Sequence, residues 1–175
     1  MNITLREIQV EDILHLINYW TQSDSKYLKS LGVDLNKLPS EEMFKEMLEN
    51  QIQQPYSKKQ NYALIVLKEE QPIGHVNINE IDFGNAAKMH LHIWKKENRQ
   101  SGVGTEMIQL AIPYFFKHFQ LQKLICEPYA KNNAPNKTLE KVGFKFVKKY
   151  TTVPGSINFE QEVNQWELND VSSSS

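Results

Sequence analysis

The chain has 175 residues, of which 40% are hydrophobic and 23% charged, and its formal net charge is −1. That length and balance predict a single globular domain over residues 1–170, followed by a polar tail at 171–175 that is expected to be disordered. A charge so near zero gives no general attraction to nucleic acid or to an anionic membrane, so any partner must be recognised at a local site. Ile3 to Ile8 alternates as a strand, and Val10-Glu11-Asp12 opens a helix with an apolar stripe of Ile13, Leu14, Leu16, Ile17 and Trp20. Ser23 to Leu31 reads as a second helix. Ser40 followed by Glu41 and Glu42 has the capping serine and acidic first turn of a third, running to Gln53 before Pro55.

Tyr62 to Leu67 is an apolar run of strand length, Glu69-Glu70-Gln71 is a turn, and Ile73 to Ile81 alternates strictly. After a second turn at Asp82 to Asn85, Lys88 to Trp94 returns as a third strand, so the middle of the chain is an antiparallel meander. Ser101 to Phe119 repeats its apolar residues at helical spacing, with Pro113 expected to kink or loosen the helix. A strand at Leu121 to Cys126, a helix from Asn133 to Val142 that ends at Gly143, and strands at Phe144 to Thr152 and Phe159 to Leu168 complete the order. This sequence of elements predicts an α/β fold with a mixed, mainly antiparallel central sheet flanked by helices on both faces.

The one cysteine, Cys126, excludes an internal disulfide and lies in an apolar run, where it reads as a small buried side chain in a reducing compartment rather than a nucleophile. The opening MNITLREIQVED carries charges where a signal peptide needs an apolar core, and no run approaches the roughly 20 apolar residues of a membrane span. A cytoplasmic location, with no membrane partner, is therefore expected.

Two glycines stand one residue apart in ENRQSGVGTEM, Glu97 to Met107, between a strand and a long helix. The first N–H groups of a helix lack internal partners and sit at the positive end of its dipole, so a glycine loop there lets a phosphate approach the backbone. A dinucleotide fingerprint is excluded because Met107 occupies the third glycine position and a meander precedes the loop. The Gly-Lys-Ser/Thr of a Walker loop is also missing.

Arg99-Gln100-Ser101-Gly102-Val103-Gly104 resembles the acetyl-CoA signature of the GCN5-related N-acetyltransferase (GNAT) superfamily. Asn133 to Phe144, with Leu139-Glu140-Lys141-Val142-Gly143-Phe144, is similar to a segment of the branch that includes ribosomal-protein alanine N-acetyltransferases. The resemblance implies acetyl-CoA as cosubstrate, with its diphosphate on the loop amides and its pantetheine arm in a gap between a splayed parallel strand pair, Lys88 to Trp94 and Leu121 to Glu127. Implied cosubstrate contacts are Ile93, Trp94, Arg99, Gln100, Ser101, Gly102, Val103, Gly104, Thr105, Asn133 and Asn136. Asn133 is also expected to cap its helix. Lys137 can face phosphate or water. Many members place an acidic tyrosine four residues before the Gly of Gly-Phe, where this chain has Leu139, so Tyr129 is the nearest replacement by sequence.

Acetyl transfer to an amine needs a proton acceptor. Alternation sends His75, Asn77 and Asn79 to one face of their strand and Lys88, His90 and His92 to one face of the next. If Asn77 lies opposite His90 and His75 opposite His92, these groups gather on one side of the sheet. His90 is the first candidate base, since the resemblance puts an acidic base on this strand in related aminoglycoside-modifying enzymes, and an imidazole at its ordinary pKa of about 6.5 accepts a proton at neutral pH. His92 is second and Glu127 third, the latter with a competing role as a surface carboxylate near Lys131. A zinc site on the three histidines is the weaker alternative, and no metal is expected.

The acceptor is expected to be a small cationic amine or aminoglycoside, or a peptide N-terminus. Glu41, Glu42, Glu46, Glu49, Glu160 and Glu162 either attract a cation or form solvated faces. A non-catalytic acyl-CoA sensor is the alternative function, and a monomer or a homodimer is expected.

Overall fold

The structure, a computed structural model, describes residues 2–99 and 101–171. Strand β1 (Ile3–Glu7) leads through a tight 3-10 turn into helices α1 (Ile13–Gln22), α2 (Ser25–Ser30) and α3 (Glu41–Gln53). The meander follows as β2 (Asn61–Lys68), β3 (Gln71–Asp82) and β4 (Ala86–Ile93). Then come α4 (Val103–Phe119), β5 (Lys123–Cys126), α5 (Asn133–Lys141), β6 (Lys145–Thr152) and β7 (Gln161–Asn169). The strands form one seven-stranded sheet in the order β1-β2-β3-β4-β5-β7-β6. Every neighbouring pair is antiparallel except β4 and β5, which run parallel.

Local chemistry sets the joints. Arg6 donates to both carboxylate oxygens of buried Asp12, at 2.6 and 2.9 Å, and so ties β1 to the start of α1. Ser40 Oγ accepts the Met43 N–H at 3.2 Å, the expected cap of α3. Glu69 and Glu70, with φ of 50° and 69°, make the two-residue turn between β2 and β3, both central residues in the left-handed region that such hairpins need.

Alternation then gives β3 and β4 two different faces. Val76, Ile78 and Met89 point into the main core, where α4 lays Val103, Met107, Ile108, Ala111, Phe115 and Phe119 against them, all with no solvent exposure. On the opposite face α1 and α3 meet in a small cluster of Ile13, Ile17 and Phe44. Helices thus cover both sides of the mixed sheet. Cys126 is buried, and its thiol donates to the Met89 carbonyl at 3.0 Å.

Several sequence expectations shift. Leu14 is 64% exposed and leaves the α1 stripe, because Ile13 and Ile17 already define the buried side. Pro113 lies on the exposed side of α4, which runs on through it. The α5 helix begins at Asn133, with Asn132 rather than Asn133 in the cap position and no side-chain capping bond. The expected tail beyond Val171 falls outside the described residues, and among those described no helix is long and apolar enough to cross a membrane.

Candidate active site

The register of β3 against β4 is His75↔His92, Asn77↔His90 and Asn79↔Lys88. These polar side chains therefore stand in two adjacent rows, and five of them (His75, Asn77, Asn79, His90 and His92) form the floor of a cleft of about 290 Å³. The walls come from α1, α3 and the segments around Leu31 and Ile157. Lys88 does not line the cleft. Its ammonium pairs with Glu80 and Glu127, each at 2.9 Å.

Hydrogen bonds fix the imidazoles. His90 Nε2 lies 3.0 Å from Asn79 Oδ1, and since an amide oxygen only accepts, His90 donates there and keeps its lone pair on Nδ1. The Trp94 indole donates to His75 Nδ1 at 2.8 Å, and the Tyr19 hydroxyl lies 3.0 Å from His92 Nδ1 and 3.0 Å from the Tyr27 hydroxyl. The His75 and His92 rings stack with centroids 4.8 Å apart. His90 Nε2, His75 Nδ1 and His92 Nδ1 thus each face a protein partner. No group of three His, Cys, Asp or Glu side chains among the described residues is arranged to hold a metal ion.

The expectation of an ordinary imidazole pKa is corrected. Burial, helped by the nearby Lys88 ammonium, pushes His90 down to about 4. Burial pushes His75 down to about 3, with His90 adding to it, and lowers His92 well below the usual histidine range. All three are neutral at physiological pH, acceptors and donors without charge.

The glycine loop lies at the end of β4. That strand pairs with β5 only at Ala86↔Lys123, Ala87↔Leu124 and Lys88↔Ile125, although it continues to Ile93. From Met89 onward the two strands part, as the resemblance implied. The Trp94 N–H returns to β3, donating to the Ile73 carbonyl at 2.9 Å, and the carbonyls of Ile93 and Trp94 accept from Arg99 at 3.0 and 3.2 Å. The Arg99 guanidinium also lies 3.6 Å from the centre of the Tyr27 ring, so this side chain fastens the loop to α2. Ser101 Oγ donates to the Asn98 carbonyl at 3.1 Å. Gln100 lies outside the described residues.

Gly102 has φ of 82°, a conformation that favours glycine, and its Cβ position is open. Gly104 differs: no positive φ demands it, and an added Cβ would meet Leu91 and Thr138 only at an ordinary 3.8 Å. Nothing in the chain itself requires glycine there. Val103, Gly104 and Thr105 precede the first intrahelical bond of α4, from the Glu106 N–H to the Gly102 carbonyl at 3.3 Å, so their N–H groups have no acceptor within the helix.

Other candidates stand elsewhere. The Glu127 side chain is 3% exposed, pairs with Lys88 rather than lying at the surface near Lys131, and accepts from Tyr150 and Gln165. Those bonds hold its carboxyl below the usual range against the cost of burial, and it does not line the cleft. Tyr129 is half-buried after β5, edge-on to Phe159 at 5.7 Å and also outside the cleft lining. Asn133 and Lys137 are exposed on α5. Asn136, expected as a cosubstrate contact, donates its amide to the carbonyls of Tyr129 and Asn132 and accepts from Asn164 and Trp166, which uses both donors and both acceptor positions of the side chain within the protein. Leu139, at the position where many members of the superfamily have tyrosine, is buried in the main core. None of the six glutamates weighed as cation attractors lines the cleft.

The cleft floor thus shares strand β4 with the glycine loop, whose first N–H groups have no acceptor within the helix. Residues 2–145 match the family described as the acetyltransferase (GNAT) domain, and the chain belongs to that family of acetyltransferases. A search of curated proteins finds no match. Among solved structures the chain is similar to a spermidine N-acetyltransferase from Vibrio cholerae in complex with CoA and spermine, with 19% identity, 95% of each chain covered and a TM-score of 0.78. It is also similar to ribosomal-protein-S5-alanine acetyltransferase from Vibrio fischeri, with 17% identity, 98% of this chain and 94% of that one covered, and a TM-score of 0.77. An aminoglycoside acetyltransferase in complex with coenzyme A gives 15% identity, 99% and 100% coverage, and a TM-score of 0.72.

Proposed function

We propose that this acetyltransferase uses acetyl-CoA and moves its acetyl group directly to a primary amine held in the cleft. The observation that carries this reading is the stretch of β4 from Met89 to Ile93, which no longer pairs with β5, leading to the N–H groups of Val103, Gly104 and Thr105, which have no acceptor within the helix, with Gly104 a glycine that the fold does not need. The amides suit a diphosphate and the strand edge suits the amides of a pantetheine arm. Solved neighbours of the same fold are described with CoA bound. Bound acetyl-CoA supplies an acetyl carbon activated as a thioester.

The amine enters the cleft neutral, because three uncharged imidazoles and no carboxylate line it. Its nitrogen bonds to the acetyl carbon, the carbon–sulfur bond breaks, and the sulfur leaves with the electron pair. His90, neutral and with a lone pair on Nδ1, receives the nitrogen's proton as that bond forms and the nitrogen becomes acidic; His92 is the second candidate. Tyr129 is assigned to the departing thiolate. Glu127 acts at a distance, holding Lys88 beside the floor.

Gly104→Val tests the loop. The chain has room for the new Cβ, and Gly104→Ala, which adds only that atom at a helical position, should fold at least as stably as the parent. Acetyl-CoA affinity should fall by tenfold or more in the valine variant while thermal unfolding stays cooperative. A folded Gly104→Val protein with parental affinity would remove the diphosphate from this loop.

A further inference from the structure

Two observations bear on which amine the cleft accepts. The first is charge. The apolar part of the wall includes Trp20, Leu31, Phe44, Met47, Leu48 and Ile157, the polar part includes the uncharged Gln51, Asn61, Ser156 and Asn158, and among the described residues the one charged side chain in the lining is Lys59. Its ammonium donates to the Gln51 and Ile52 carbonyls beside α3. A polycation drawn into this space would give up water and meet an ammonium rather than a carboxylate, an arrangement that costs heavily.

The second is an unpaired atom. Asn77 Oδ1 belongs to the floor, opposite His90 across the strand pair, and it is buried without a hydrogen-bond donor among the described residues. His90 cannot supply one through Nε2, which already donates to Asn79. Buried acceptors are almost always paired, so an orphan on the floor of a substrate cleft calls for a donor from the substrate.

We propose that the acceptor is a small monoamine carried on an aromatic or branched hydrocarbon body, and that Asn77 Oδ1 receives one of its N–H groups. This rests on the acetyl-transfer reading above. The apolar body lies against Trp20, Phe44 and Leu48, the nitrogen stands at the polar floor, and the N–H held by Asn77 leaves the nitrogen's lone pair for the thioester.

The test uses the full chain with phenethylamine, isoamylamine, spermine, kanamycin and an alanine-initiated hexapeptide. Binding is measured by calorimetry with coenzyme A present, and turnover by release of coenzyme A from acetyl-CoA, at about pH 9, where a measurable share of each alkylamine is neutral. Phenethylamine or isoamylamine should bind at least tenfold more tightly than spermine and show at least tenfold higher kcat/KM. Asn77→Leu should raise KM for the preferred amine at least tenfold, keep acetyl-CoA affinity within twofold, and leave Tm equal or higher, because it removes an unpaired acceptor.

Preference for spermine, kanamycin or the peptide overturns the proposed class, as does failure of every amine to bind. An unchanged KM or a lowered Tm in Asn77→Leu overturns the role of Asn77; should that variant not fold, Asn77→Ser provides the same comparison of KM. Tight binding of the apolar monoamines with no turnover supports the inference and overturns acetyl transfer instead.

Discussion

The two faces of β3 and β4 are built from alternate residues of the same strands, yet they do opposite work. Val76, Ile78 and Met89 are sealed under α4, while His75, Asn77 and His90, one residue along, floor a cleft. The dry face is close-packed and holds the sheet together. The other face leaves space, and the hydrogen-bonding groups that floor the cleft there stay uncharged. The lesson is that a strand pair can separate stability from chemistry by parity alone, so that a substitution on one face should move stability and one on the other should move turnover.

The largest effect should come from the dry face. Phe115 has no exposure and sits edge-on to Tyr62, with ring centroids 6.1 Å apart. Phe115→Ala should cost about 3–5 kcal/mol in denaturant unfolding. A loss under about 1 kcal/mol would mean that the α4 side does not carry the fold.

Next is His90→Ala on the cleft face, expected to lower turnover by about 100-fold, near the lower end for a positioned proton acceptor. Tm should stay close to the parent's and acetyl-CoA affinity should be unchanged. With His90 held near 4, the parent's rate from pH 6 to 9 should follow ionisation of the amine substrate, with no inflection around 6.5. Such an inflection, removed by His90→Ala, would show that the imidazole is less desolvated in the working enzyme than its surroundings suggest. Parental turnover in His90→Ala, His92→Ala and the double variant would take both histidines out of the reaction.

A third effect, spread over several pH units, is on acid stability. His75, His90 and His92 have folded pKa values below the unfolded value near 6.5, so the unfolded chain binds protons that the folded one refuses. Their contribution is whole above about pH 6.5 and is lost as pH falls toward the folded values, at up to about 1.4 kcal/mol per pH unit for each histidine. Tm measured from pH 7 to 4 should therefore fall steeply, and His75→Gln should flatten the slope. A flat profile would contradict burial as the cause of the shifts.

Much of this was legible in the chain because the relevant signals are local. Strict alternation around His75 and His90 puts these groups on one face of each strand, and a glycine pair before an amphipathic helix marks the loop, whereas the register that sets His75 opposite His92 also needs an irregularity between Asn79 and Asp82 that alternation does not announce. What was not legible depends on distant partners. The bonds of Asn136 come from Asn164 and Trp166 on β7, and the partner of Glu127 is Lys88 on β4 rather than the nearby Lys131. Trp20 reads as part of an apolar helix stripe; only the tertiary arrangement shows that, with Phe44, it also walls a cleft. The imidazole shifts arise from desolvation, which no spacing encodes.

The burial of Cys126 has a practical consequence. It is the chain's sole cysteine, and burial pushes its thiol up to about 12. A colorimetric thiol reagent added to the native enzyme should therefore record coenzyme A as it is released, with almost no background from the protein itself. One additional thiol per chain appears only when the sheet opens, so the same reagent, without substrate, becomes a clock for unfolding.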